Sequence, residues 1–131
     1  MNRFNRQNVA KMQSLGIMLM GIVHVAATFT PLIADKLALL SEGAQDAFTY
    51  FSLMCGTLLV FGGGITFALA DKVAEYPFVR KPYVLAIVLL TIAGILAAYF
   101  MPHNPFAWAI FALTMGLMLA TIILLRCKET K

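Results

Sequence analysis

The chain has 131 residues, of which 61% are hydrophobic and only 12% are charged. An average soluble domain is about 45–50% apolar and about 25% charged, so a water-soluble fold would lack the polar surface to cover this chain. The net charge is +4, but the basic residues fall at the ends of apolar segments. That pattern is typical of membrane topology signals, and we expect no nucleic-acid partner.

The first predicted span covers residues 12–33 and carries no charged side chain. At about 1.5 Å per residue it would be about 33 Å long, enough to cross a hydrocarbon core of about 30 Å. Gly16, Met20, His24 and Thr28 are spaced four residues apart, so they share one helix face. We expect His24 to lie near the middle of the membrane.

The connection at residues 34–46 is partly apolar. Leu37, Leu39 and Leu40 favour a short helix lying in the membrane interface after the first span. Gly43 is expected to end that helix.

The second predicted span covers residues 47–70. Ser52 and Gly56 lie on one face, and Cys55 is close to it. Three consecutive glycines centred on Gly63 would break a soluble helix, but the bilayer forces the backbone to satisfy its own hydrogen bonds. We therefore expect an unbroken helix that allows close approach of a neighbour.

Two further spans are predicted at residues 83–101 and 106–125. Pro77 and Pro82 are expected to keep the preceding connection from being helical. The short charge-free turn between these two spans predicts an antiparallel helical hairpin. The chain is thus predicted to be an all-α membrane protein, a four-transmembrane-helix bundle forming one integral membrane domain over residues 1–131.

Small residues mark the expected helix contacts. The fourth span holds two successive small-xxx-small steps, a pattern that allows helix backbones to approach closely. We expect these residues to pack inside the bundle or between subunits. The full set of predicted packing positions is Gly16, Gly56, Gly63, Ala112, Gly116 and Ala120.

The charges predict an orientation. Lys36 is the single basic residue in the two connections expected on one side of the membrane, and the other nine Lys and Arg fall on the opposite side. Since cytoplasmic segments carry an excess of Lys and Arg, both termini are expected in the cytoplasm of a multi-pass inner-membrane protein.

His24 is the main candidate for chemistry. No Asp, Glu, Lys or Arg lies inside any predicted span, which weakens proton-antiport interpretations. A polar group in the membrane is costly and often functional, so His24, with Thr28, Ser52 and Cys55, forms a candidate ligand-binding or proton-handling set. The alternative is a neutral imidazole hydrogen-bonded to a neighbouring helix, with Ser52 and Cys55 the expected partners by depth and face.

Metal and redox sites have weak support. Met20, His24, Met54 and Cys55 are soft ligands that would suit copper(I), but membrane helices also use Met as packing. Cys55 and Cys127 are expected at different depths, which excludes a disulfide between them. We predict no catalytic residue, no metal and no cofactor.

The layout of four short spans also resembles a known group. The residues that carry the likeness are His24, Pro31, Phe48, Phe51, Gly56 and Gly63. In these respects the chain resembles the small four-helix bacterial membrane proteins called DoxX-like. The resemblance implies an inner-membrane bundle and a redox- or stress-related context.

Three function classes remain open at this point. The first is a non-catalytic accessory or structural bundle, embedded in the lipid bilayer and paired with itself or with a larger membrane complex. The second is a transporter or binder of a lipophilic small molecule, which needs a ligand-sized pocket around His24. The third is a membrane redox or metal protein.

Overall fold

The computed structural model describes residues 3–73 and 75–126, without the side chains of residues 3, 4 and 32. The described residues form helices joined by short turns and contain no strand. In chain order the helices are α1 (Arg3–Thr28), α2 (Pro31–Leu37), α3 (Glu42–Leu69), α4 (Pro77–Phe100) and α5 (Pro105–Arg126).

Four of these helices, all except α2, are long and apolar enough to cross a membrane. Large apolar side chains such as Leu19, Phe61 and Leu89 are exposed on the surface of the chain. Hydroxyl side chains, including Thr66 and Thr114, are buried inside it. A soluble monomer rarely exposes large contiguous apolar patches, so the chain is a multi-pass membrane protein with an all-α four-helix fold, as predicted.

The long helices are antiparallel to their neighbours. α1 packs against α3 on one side and α5 on the other, and α5 also packs against α4. α3 and α4 close the ring with the least extensive contact of the four. We name the two ends by their contents: the α2 end holds α2 and the turn at residues 101–104, and the basic end holds the start of α1, the 70–76 connection and the end of α5.

Glycines allow the tightest helix contacts. A Cβ on Gly63 would lie 2.8 Å from the backbone nitrogen of Met18, and one on Gly56 would lie 3.1 Å from the carbonyl oxygen of Gly21. Two of the glycines singled out for packing therefore lie where α3 meets α1. A third, Gly16, faces Leu113 of α5.

The predicted end of the first span was wrong by five residues. α1 ends at Thr28 rather than Ile33 because Pro31 begins a new helix and disfavours helical geometry in the residue before it. Thr30 is accordingly extended, with φ −79° and ψ 151°. The short helix expected after the first span exists as α2, but it begins earlier than predicted.

Two expected helix breaks do not occur. Gly43 lies inside the first turn of α3, because α2 has already ended at Leu37. Pro82 lies inside α4, which begins at Pro77. Pro77 occupies the first helical position, where proline's missing N–H costs nothing, and the helix continues through Pro82. The helix also persists through the three glycines around Gly63, as predicted.

The expectation of charge-free spans was also wrong. α1 is helical from Arg3, so Arg6 and Lys11 belong to its membrane-length segment, Asn5–Thr28. Lys11 Nζ lies 2.5 Å from Asp71 Oδ2. One Arg6 amino nitrogen donates to the carbonyl oxygen of Ile123. Both charges thus lie at the basic end, where α1 meets the 70–76 connection and the end of α5.

Candidate functional site

A cleft of about 690 Å³ opens between α3 and α4, where the ring of helices is least tightly closed. Leu58 and Phe61 of α3 line one wall, and Leu89 and Leu96 of α4 line the other. All four are exposed, so the cleft faces outward between these helices. His24 of α1 lies on its inner side.

His24 lies closer to the α2 end than predicted. The estimate of a mid-membrane position assumed that α1 continued to Ile33, but only four residues separate His24 from the end of α1 at Thr28. At about 1.5 Å per residue, the backbone of His24 lies about 6 Å along the axis from the end of α1. The polar part of the cleft therefore lies toward the α2 end.

Three polar side chains join α1 to α3 beside the cleft. His24 Nε2 lies 3.2 Å from Ser52 Oγ. Ser52 Oγ lies 2.7 Å from Thr28 Oγ1. Thr28 Oγ1 in turn donates to the carbonyl oxygen of His24 at 3.0 Å. Three of the four candidate site residues are thus brought together in one hydrogen-bonded chain, with Ser52 as the expected partner of the ring.

Cys55 is the fourth candidate, and it lines the cleft together with His24. Its thiol is free and exposed, and among the described residues it makes no hydrogen bond with the ring. Cys55 therefore belongs to the cleft wall rather than to the hydrogen-bonded chain.

The start of α5 completes the α2 end of the cleft. The ring of Phe106 lies 5.7 Å from the His24 ring, centroid to centroid. Asn104 lines the cleft and caps α5, since its Oδ1 accepts a hydrogen bond from the backbone N–H of Phe106 at 3.0 Å. An N-cap side chain of this kind satisfies a helix donor that would otherwise lack a partner.

The small residues of α5 divide between interior and surface. Gly116 faces α1, where an added Cβ would lie 3.1 Å from the side-chain amide carbon of Gln13. Ala120 is buried. Ala112 is exposed on the single chain, so of the two placements predicted for it, inside the bundle or between subunits, the structure leaves the contact between subunits as a prediction.

The described part of the chain contains no group of three or more His, Cys, Asp or Glu that could hold a metal ion. The soft-ligand set is also separated. Met20 packs against the hydrophobic core, whereas Met54 is exposed. Cys127, named in the disulfide prediction, lies outside the described residues.

Sequence reasoning missed several cleft residues. By sequence alone, Asn104 falls in the turn between the last two spans, Phe106 begins the last span, and Gly62 belongs to the run of three glycines. An added Cβ on Gly62 would lie 2.8 Å from a methyl carbon of Leu90, so this glycine marks the contact of α3 with α4. The available signal was Asn-Pro before an apolar run, which is typical of an N-cap.

Comparison with protein-family models, with curated proteins and with solved structures finds no match for this chain. The resemblance to DoxX-like proteins therefore stays a prediction.

Proposed function

We propose that this protein binds a lipophilic small molecule in the cleft between α3 and α4, as a multi-pass protein of a bacterial inner membrane with both termini in the cytoplasm. The observation that carries the proposal is the cleft itself, of about 690 Å³ with His24 on its inner side. Ligand sites in proteins are typically about 300–1,000 Å³, mostly apolar, with a few polar groups that orient the ligand.

The position of the cleft supports entry from the bilayer. Its walls are helix faces with exposed apolar side chains, including Leu58 and Leu89. On a membrane protein such faces contact lipid chains, so a lipophilic molecule reaches the cleft without crossing water. Binding also needs few new polar contacts, because the apolar walls would hold a ligand mainly through dispersion contacts and shape complementarity.

Thiol protection tests this proposal directly. Cys55 lines the cleft, and in a Cys127→Ser background it is the single thiol of the chain. We expect oleyl alcohol, added to the protein in detergent, to slow the modification of Cys55 by N-ethylmaleimide several-fold. The matched control is Leu119→Cys in a chain without Cys55 and Cys127, because Leu119 is exposed on α5 outside the cleft.

A substitution that fills the cleft provides a second part of the thiol-protection test. Ala93→Phe adds a ring to the α4 wall, whereas Ala68→Phe adds the same ring to an exposed position outside the cleft. Only the Ala93 variant should lose protection of Cys55. Equal protection of Cys55 and the control thiol, or protection that survives Ala93→Phe, would overturn the proposal.

A second candidate function is an accessory bundle within a membrane assembly. The observation that favours it is Ala112, a small residue that is exposed on the same helix as Gly116 and Ala120. Small residues at the surface of a membrane helix allow another helix to approach closely. Disulfide cross-linking of Ala112→Cys between copies in native membranes, in a chain without Cys55 and Cys127, tests self-association. The control is Met54→Cys, because Met54 is exposed on α3 rather than on the Ala112 face of α5.

A further inference from the structure

We infer that the occupant of the cleft is a single-chain amphiphile with an uncharged head group that donates a hydrogen bond to His24 Nδ1, as a long-chain alcohol would. This inference rests on the proposed function of the cleft and names the chemistry of its ligand. It is carried by three observations: the hydrogen-bonded chain at His24, the uncharged lining and the length of the cleft.

If all three contacts are hydrogen bonds, their directions determine which ring nitrogen of His24 carries the proton. Thr28 has one hydroxyl proton, and it donates this proton to the carbonyl oxygen of His24. Its oxygen must then accept the proton of Ser52 across their 2.7 Å contact. With its own proton used, Ser52 Oγ can only accept from His24 Nε2–H at 3.2 Å. Since a neutral imidazole carries one proton, Nδ1 is left as an acceptor.

Nδ1 makes no hydrogen bond with any residue in the described part of the chain. His24 is the residue of α1 that lines the cleft, so its Nδ1 is available to accept a hydrogen bond from a ligand there. An acceptor selects a ligand that donates, such as a hydroxyl or an amide N–H. A head group that only accepts, such as an ether or an ester, would leave Nδ1 unpaired beside apolar walls.

The lining also excludes a charged head. Among the described residues that line the cleft there is no Asp, Glu, Lys or Arg. An ammonium group would therefore lose its hydration without gaining a partner of opposite charge, which is strongly unfavourable in an apolar site. A carboxylate would gain such a partner only if His24 became protonated, which would place a second charge in the same apolar site. Charge complementarity thus favours a neutral head beside His24.

The tail has room along α4. The cleft runs from Phe100 and Asn104 at the α2 end to Ala86 deeper in the bundle. The helical rise places Ala86 and Phe100 about 21 Å apart, which exceeds half of a hydrocarbon core of about 30 Å. One lipid-length chain therefore fits with its head at His24 and its tail pointing toward the basic end.

The test compares probes that share one chain and differ in the head. Oleyl alcohol donates a hydrogen bond, oleyl methyl ether only accepts, and oleate is charged. We expect oleyl alcohol to protect Cys55 at a concentration about ten-fold lower than either of the others, the ratio that a difference of about 1.4 kcal/mol in binding free energy produces. In the His24→Leu variant the alcohol and the ether should become equal.

Each outcome bears on a different statement. If no probe protects Cys55, the proposed function fails. If all three probes protect equally and Ala93→Phe abolishes the protection, the cleft binds apolar chains and the head-group inference is wrong. If the alcohol is preferred but His24→Leu leaves the preference intact, the donor does not bind at His24 and the inference is also wrong.

Nitrogen NMR provides a readout that does not depend on affinity. The chain has two His residues, so a His103→Gln variant leaves the ¹⁵N signals of His24 alone. We expect an unprotonated Nδ1 whose resonance moves when oleyl alcohol is added and does not move with the ether. A protonated Nδ1 in the neutral ring would overturn the inference.

Discussion

Gly21 of α1 and Gly56 of α3 meet backbone to backbone. A Cβ on Gly21 would lie 2.7 Å from the carbonyl oxygen of Gly56, and one on Gly56 would lie 2.5 Å from a methyl carbon of Val25. Neither position has room for a side chain. This contact lies one helical turn from the hydrogen bond between His24 and Ser52, on the side of the basic end. The close approach of the two backbones therefore brings those side chains within hydrogen-bonding distance.

The neighbouring glycines Gly63 and Gly64 provide a matched test of this packing. Gly63→Ala should lower the free energy of unfolding by about 1–3 kcal/mol, because its Cβ would meet backbone atoms of Ser14 and Met18 that cannot rotate away. Gly64 has no atom within 4 Å of an added Cβ, so Gly64→Ala should be neutral or stabilising by up to about 1 kcal/mol through helix propensity. Unfolding by SDS titration in mixed micelles measures both, and equal losses would contradict the packing.

The sequence was sufficient for the four spans because apolar length alone decides which segments can cross a bilayer. It was not sufficient for the depth of His24, since a helix assumed to reach Ile33 actually ends before Pro31. The restriction on residues before proline was a usable signal there. The cleft was harder to predict. Gly62 and Gly63 are adjacent in sequence, yet one meets α4 and the other meets α1, and only the helix rotation in the bundle decides which.

Gly21 was missed for a related reason. The expected face of α1 was built on spacings of four residues, through Met20 and His24. Residues three apart are also neighbours on a helix surface, and Gly21 is three residues before His24. Including that spacing would have placed Gly21 on the α3-facing side.

Substitutions on α5 should separate internal packing from surface contact. Gly116→Leu should lower the free energy of unfolding by about 1–3 kcal/mol, because the added side chain would overlap the Gln13 amide at the α1 contact. Ala112→Leu should leave the unfolding of the single chain unchanged, since Ala112 is exposed. Thermal unfolding and oligomer size should be measured together. Unchanged values of both for Gly116→Leu would contradict this arrangement.

The contact between His24 and Ser52 should appear as a coupling energy. A double-mutant cycle with His24→Ala and Ser52→Ala should give about 0.6–2 kcal/mol, from the average of such cycles in a membrane protein up to the values from model peptides. His24→Gln should retain most of the stability, because the amide can still donate to Ser52 Oγ. A coupling energy of zero in the cycle, measured by unfolding in mixed micelles, would show that the two side chains do not stabilise each other.

The orientation is open to a labelling test. In the sequence, nine of the ten Lys and Arg residues fall in the amino-terminal segment, the connection after α3 and the segment that follows the last span. The positive-inside rule predicts that the basic end is cytoplasmic. In spheroplasts of a cysteine-free background, Ala38→Cys should react with a membrane-impermeant maleimide added outside, and Lys128→Cys should react only after lysis. The reverse pattern would invert the topology and would place the polar end of the cleft in the cytoplasmic leaflet.

Tyr83 and Thr121 provide a test of buried polarity at the basic end. The Tyr83 side chain is fully buried, and its hydroxyl lies near that of Thr121. Neither hydroxyl makes a hydrogen bond of good geometry with the residues that the structure describes. Since an unsatisfied buried polar group costs about 1–3 kcal/mol, Tyr83→Phe should raise the free energy of unfolding by up to that amount.

The control for this prediction is Tyr99→Phe, because Tyr99 is exposed on the same helix and its hydroxyl has no desolvation cost to recover. It should leave the unfolding free energy unchanged. Thr121→Val should behave like Tyr83→Phe, and the double variant should be additive if the two hydroxyls do not interact. If each single substitution instead destabilises the protein and the double variant costs no more than either, the hydroxyls form a hydrogen bond with each other. That bond would then join α4 to α5 at the basic end, as His24 and Ser52 join α1 to α3 at the α2 end.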